Sequence, residues 1–120
     1  MNFLSRVFDL TGGFVNPLVF SPSIPPAPGG VVVHKSVYTV DTTAGPVVLT
    51  CPASPHEGFE FIVVDVAGNF KITNCTINFN GNLFRGDATL ILNVGWTFVW
   101  MQFLSGQWLI KSLYTGATKK

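Results

Sequence analysis

The chain has 120 residues and a formal net charge of +1, with 48% hydrophobic but only 11% charged residues, less than half the usual charged share of about a quarter. That length supports one domain able to bury roughly two thirds of its unfolded surface. The near-neutral charge excludes the broad basic field used to hold nucleic acid, and no apolar run reaches bilayer-spanning length, so neither nucleic acid nor membrane is expected as a partner.

Residues 1–30 differ from the rest and are expected to form an N-terminal arm. Leu4, Val7, Phe8 and Thr11 lie at helical spacing, which predicts a short amphipathic helix over 2–10, stopped by Gly12 and Gly13. So short a helix is marginal in water and needs a surface to lie on. Arg6, Asp9 and Asn16 interrupt the apolar run and no small-residue cleavage site follows it, so the segment reads as mature protein rather than as a signal peptide. Next comes SPSIPPAPGG, residues 21–30; five of the eight prolines lie between Pro17 and Pro28. Proline fixes φ and removes donors, which favours an extended, semi-rigid spacer. Phe3, Leu4, Val7, Phe8, Phe14 and Phe20 are costly to leave in water, so the arm is expected to dock these side chains on another protein.

From residue 31 the chain reads as strands and turns. Val31–Val40 is β-branched, Val47–Cys51 follows a Gly-Pro turn, and Phe59–Val66 (FEFIVVDV) is apolar on both faces. Gly68-Asn69, Asn80-Gly81-Asn82 and Gly86-Asp87 mark turns around the short strands Phe70–Thr73, Thr76–Phe79, Leu83–Arg85 and Ala88–Asn93. Thr97–Leu104 and Trp108–Tyr114 flank Ser105-Gly106-Gln107, a predicted hairpin turn. The expected body, residues 31–115, is all-β: an antiparallel β-sandwich or small barrel of about eight strands, followed by a tail at 116–120. In TFVWMQFL, Phe98, Trp100 and Leu104 face one way and Val99, Met101 and Phe103 the other. A strand apolar on both faces is expected to be covered on both, one by the core and one by a partner subunit.

The chemistry-bearing residues form no catalytic pattern. Asp41-Thr42-Thr43 resembles the aspartic-protease signature, but Thr43 stands where that signature needs glycine; a polar turn, with Asp41 bonding nearby amides, is the expected role. Asp9, Asp41, Glu57, Glu60, Asp65 and Asp87 are the only acids, and none sits in a pocket motif. Cys51 follows an apolar strand and is expected to be buried and inert. Cys51 and Cys75 either pair in an oxidising compartment or remain core thiols, the latter being the expectation without a signal peptide. With His34 and His56 they make no zinc pattern. Arg85 beside Phe84 is one Arg-aromatic pair, too little for base stacking. No catalytic, cofactor-binding or metal-binding residue is assigned, and no cofactor is expected.

The string YTVDTTAGPVVLTCPASPHEGFEFIVVDVAGNF, residues 38–70, together with NCTINFNGN (Asn74–Asn82), Phe103 and GQWLI (Gly106–Ile110), resembles a segment recurring in bacteriophage virion proteins, over roughly residues 37–112. Cys51 departs from the usual leucine, and Phe59 from the aspartate that often follows the glycine. The resemblance implies a trimeric, non-enzymatic β-structure of tail fibres, appendages or capsid-surface proteins, located in the virion after assembly in the host cytoplasm. The expected function is a capsid decoration, or cement, protein: a homotrimer on the shell, touching the major capsid protein through its arm and apolar faces. Phe59, Trp96, Trp100 and Phe103 are the candidate body interface residues. The alternatives are a tail fibre, collar or adaptor component contacting tail proteins, and a carbohydrate-binding β-sandwich using Trp96, Trp100 or Trp108 as a stacking platform.

Overall fold

The computed structural model describes residues 20–23, 25 and 30–116. The helix predicted over 2–10, the arm candidates Phe3, Leu4, Val7, Phe8 and Phe14, and the Lys119-Lys120 tail lie outside the described residues. What is described is all-β, with no α-helix. Its strands are β1 (Ser21–Ser23), β2 (Ser36–Val40), β3 (Val47–Thr50), β4 (Glu60–Asp65), β5 (Cys75–Asn78), β6 (Thr89–Leu92), β7 (Phe98–Leu104) and β8 (Gln107–Tyr114).

The strands form two sheets. One has the order β2-β4-β7-β8, extended at its β2 edge by the three-residue β1; the other has the order β3-β5-β6. Both are mixed, which corrects the antiparallel expectation: β1/β2, β2/β4 and β3/β5 are parallel pairs, whereas β4/β7, β5/β6 and β7/β8 are antiparallel. The physical reason is in the path. From β2 to β5 the chain alternates between sheets, so each strand's neighbour is the next strand but one and runs the same way. Side-chain periodicity reports faces, not strand direction, and cannot distinguish this path from a meander.

The inward rows of both sheets meet in one core. Tyr38, Val40, Phe61, Val63, Val99, Met101 and Trp108 come from the larger sheet, and Leu49, Cys75, Ile77 and Leu92 from the smaller. Trp108 sits among Phe59, Phe61, Phe79 and Phe103, with ring centroids 5.3–6.0 Å away. Tyr38 keeps its hydroxyl satisfied by accepting from the Val33 N–H at 2.7 Å, as a buried phenol must. The β7–β8 hairpin closes through Ser105 and Gly106 alone, at φ 55° and 79°. Positive φ at both central residues matches the right-handed twist of the flanking strands, and glycine makes the second of them inexpensive. Between Trp100 and Met101 the pairing jumps from Ser112 to Ile110, so Lys111 is an extra bulged residue of the kind that re-aims a side chain.

The arm and body do not divide at residue 30. Ser21–Ser23 pair with Ser36–Tyr38 of β2, so part of the proline-rich stretch is an edge strand. Proline is tolerated there because its missing N–H can face away from the ladder.

Candidate functional site

The outer face of the larger sheet carries a polar cluster centred on Glu60. In the alternation of β4 this residue points away from the core, yet it is only 7% exposed. Its carboxylate accepts from the Trp100 indole N–H at 2.8 Å and pairs with Lys35 at 3.1 Å and Lys111 at 3.4 Å. Burial pushes its pKa up, but the hydrogen bonds from Lys35 and Trp100 and the two ammonium charges outweigh that and hold it below the ordinary glutamate value. The bulge aims Lys111 over the Trp100 ring, 4.5 Å from its centroid. Phe20 closes the cluster, meeting Trp100 edge-on at 5.3 Å with the Lys35 ammonium 5.2 Å from its own centroid. Phe20, expected to dock on another protein, is thus seated on the chain's own body. The outer face of β7 is covered at Trp100 by Phe20 and Lys111, and at Phe98 by Tyr114.

Beside this cluster, His34 Nδ1 accepts the Glu60 backbone N–H at 3.1 Å, so that nitrogen carries no proton. The ring meets His56 edge-on at 4.6 Å and Phe59 at 5.4 Å. Burial, then the nearby His56 and Lys35, lower the His34 pKa against the opposing pull of Glu60. A histidine whose folded pKa lies below its unfolded value of about 6.5 contributes stability that is complete above 6.5 and is lost as pH falls through the folded value. Thermal unfolding followed by circular dichroism should therefore show Tm declining as pH drops below about 6.5. His34→Asn should flatten that part of the profile. An unchanged profile would show that His34 is not the titrating group.

At the other end of the body Asp65 terminates β4. It is 1% exposed, and its carboxylate accepts four backbone N–H bonds: Oδ1 from Ala67 (3.3 Å) and Asn69 (3.2 Å), Oδ2 from Phe70 (3.1 Å) and Trp96 (2.8 Å). One buried side chain thereby shapes the 66–70 turn and ties it to the start of β7. Trp96 is held at φ 61°, a conformation a bulky residue adopts only when its surroundings impose it; the bond from its N–H to Asp65 is one such constraint. Its indole lies on Gly68, at φ 68°, where a Cβ would overlap ring atoms Cε2 and Cζ2. Gly68→Ala should displace the indole and cost about 1–3 kcal/mol, from overpacking and positive φ together. Chemical denaturation measures the cost, and the Trp96 indole N–H resonance reports the displacement.

Of the candidate body interface residues, Phe59 and Phe103 are core residues that offer little surface to a partner, Trp100 is partly covered as described, and Trp96 is 55% exposed. Trp108 is fully buried and cannot serve as a platform. Asp41 sits in the expected polar turn, Oδ1 accepting from the Thr43 amide at 2.9 Å and hydroxyl at 2.7 Å; these bonds lower its pKa. Glu57 accepts the Ser105 N–H at the β7–β8 turn. Cys51 and Cys75 are free, buried thiols. Burial raises both pKa values, Cys75 to about 12 with help from Asp65, so neither is a ready nucleophile. Among the described residues no group of three or more His, Cys, Asp or Glu side chains could hold a metal ion. The structural roles of Asp65 and Glu60 escaped the sequence reading; the only signal for Asp65 was an acid ending an apolar strand just before Gly68-Asn69. The chain matches no known protein family, and no curated protein is detectably similar to it.

Proposed function

We propose that this chain is a non-enzymatic structural protein of a bacteriophage virion, a decoration protein that assembles as a homotrimer on the capsid shell. In this reading the body is a β-sandwich and the residues preceding Phe20 form an arm that reaches neighbouring capsid subunits. The observation that carries the reading is apolar surface left over after the core is filled. Val48 and Ile91 lie in one cross-strand row on the outer face of the β3-β5-β6 sheet, and Ile72 and Tyr114 are more exposed still. With so few charges in the chain, such surface is most readily accounted for by burial against partners. Burying it on a shell would stabilise the particle by mass action.

Light scattering of the purified protein tests the assembly: a trimer is expected, and a stable monomer would sink this reading. Truncation should remove residues 1–19 only, because β1 and Phe20 belong to the body. The truncated protein should keep its fold and fail to load onto particles. Cryo-microscopy of particles separates shell from tail; density on a fibre or collar would instead make the chain a tail component.

A further inference from the structure

Next to Trp96 lies a pocket of about 350 Å³, lined by Gly68, Lys71, Asn93, Val94, Gly95, Trp96 and Gly116. Three features separate it from the apolar surface just described. First, the indole is preorganised: its backbone is tied to the buried Asp65 and part of its ring is backed by Gly68. Second, the floor is held open by glycines. A Cβ at Gly116 would overlap the Gly95 carbonyl oxygen and press on the Trp96 ring, while the Gly116 N–H donates to that carbonyl at 2.8 Å. Third, Asn93 and Lys71 are exposed at the rim, and no carboxylate of the described residues lines the pocket; Asp65, bonded to the Trp96 N–H, is buried and occupied by four N–H donors.

We infer that this pocket binds a saccharide, with the sugar ring against the exposed part of Trp96. The C–H face of a pyranose is apolar and slightly positive, which suits the negative π-face of an indole, and stacking on a fixed aromatic costs little ordering entropy. The Asn93 amide offers both donors and an acceptor to ring hydroxyls. Lys71, in a pocket that no carboxylate of the described residues lines, selects sugars carrying an acidic group over neutral ones. The inference does not depend on whether the body sits on a shell or a tail.

The test is titration of the ¹⁵N-labelled full chain with methyl β-glucuronide and methyl β-glucoside, following the indole N–H resonances, of which Trp96's is assigned with Trp96→Phe, and the backbone amides of Asn93, Gly95 and Gly116, which line the pocket and still report when Trp96 is replaced. Both glycosides should shift the Trp96 resonance saturably, the glucuronide binding roughly threefold tighter at low salt. Lys71→Gln should remove that preference. Trp96→Ala should weaken binding about tenfold or more. Because Trp96→Ala also disturbs Gly68 packing, Asn93→Ala, a surface change, is the second variant; it should weaken both sugars while leaving Tm unchanged. Absence of saturable shifts, or shifts that survive Trp96→Ala, would overturn the inference. So would a variant that dissociates an oligomer in a protein that ignores both sugars, since Trp96 would then be a subunit contact.

Discussion

Asp65→Ala should destabilise the body by about 3–5 kcal/mol, lowering Tm by roughly 10–20 °C. The carboxylate accepts four backbone N–H bonds at 1% exposure. Removing it strands donors that water reaches poorly, and each stranded donor costs about 1–3 kcal/mol, partly relieved by relaxation of the turn. Asp65→Asn is the sharper experiment. An amide oxygen replacing Oδ1 can still accept from Ala67 and Asn69, but the NH₂ then faces the N–H groups of Phe70 and Trp96, donor against donor. The isosteric change should therefore cost a large fraction of the alanine penalty, and the Trp96 indole environment should change with it. A loss below about 1 kcal/mol for Asp65→Asn would mean the carboxylate charge is not what organises this end of the body. Denaturant unfolding with fluorescence detection measures both variants.

Trp108→Ala should cost about 3–5 kcal/mol, the usual range for deleting a large buried aromatic. Its indole touches four phenylalanines, and the cavity would be lined by rings from both sheets that cannot collapse independently. Trp108 also has an unusual feature: its buried Nε1 has no hydrogen-bond partner among the described residues. Trp108→Phe removes that unsatisfied donor along with some volume, so the two effects oppose each other and the loss should be only about 1–2 kcal/mol. A Trp108→Phe loss well above about 2 kcal/mol would show that the indole N–H is satisfied in solution. Urea denaturation of the variants against the parent chain decides this.

Much of the body was legible in sequence. Most strand positions followed from period-two patterning and turn residues, and turns formed as expected at Ser105-Gly106, where two residues at positive φ close the hairpin, and at Asp41-Thr42-Thr43, where side-chain-to-amide bonds form. The strands expected at Phe70–Thr73 and Leu83–Arg85 are instead a turn gathered by Asp65 and a turn with isolated bridges at Phe84. These features are local: the hydrogen bonds and dihedrals involved span a few residues, and residue type alone selects them. FEFIVVDV and TFVWMQFL were harder. A strand apolar on both faces does not disclose which face meets the core, and Phe59 and Phe103, expected at a partner interface, proved to pack around Trp108.

By itself, then, the sequence determined an all-β body, its main turns, a surplus of apolar side chains and the lack of any recognisable catalytic pattern. Tertiary structure alone decided the parallel pairing of β2 with β4 and of β3 with β5, because strand direction depends on a path that crosses between sheets. It also decided that Phe20 caps Trp100, that Asp65 gathers amides from positions 67, 69, 70 and 96, and that one tryptophan of three is left exposed beside a pocket. Apart from the local Asp65 bonds to 67, 69 and 70, these join residues far apart in the chain, and pattern along a chain carries no distance information beyond a few residues.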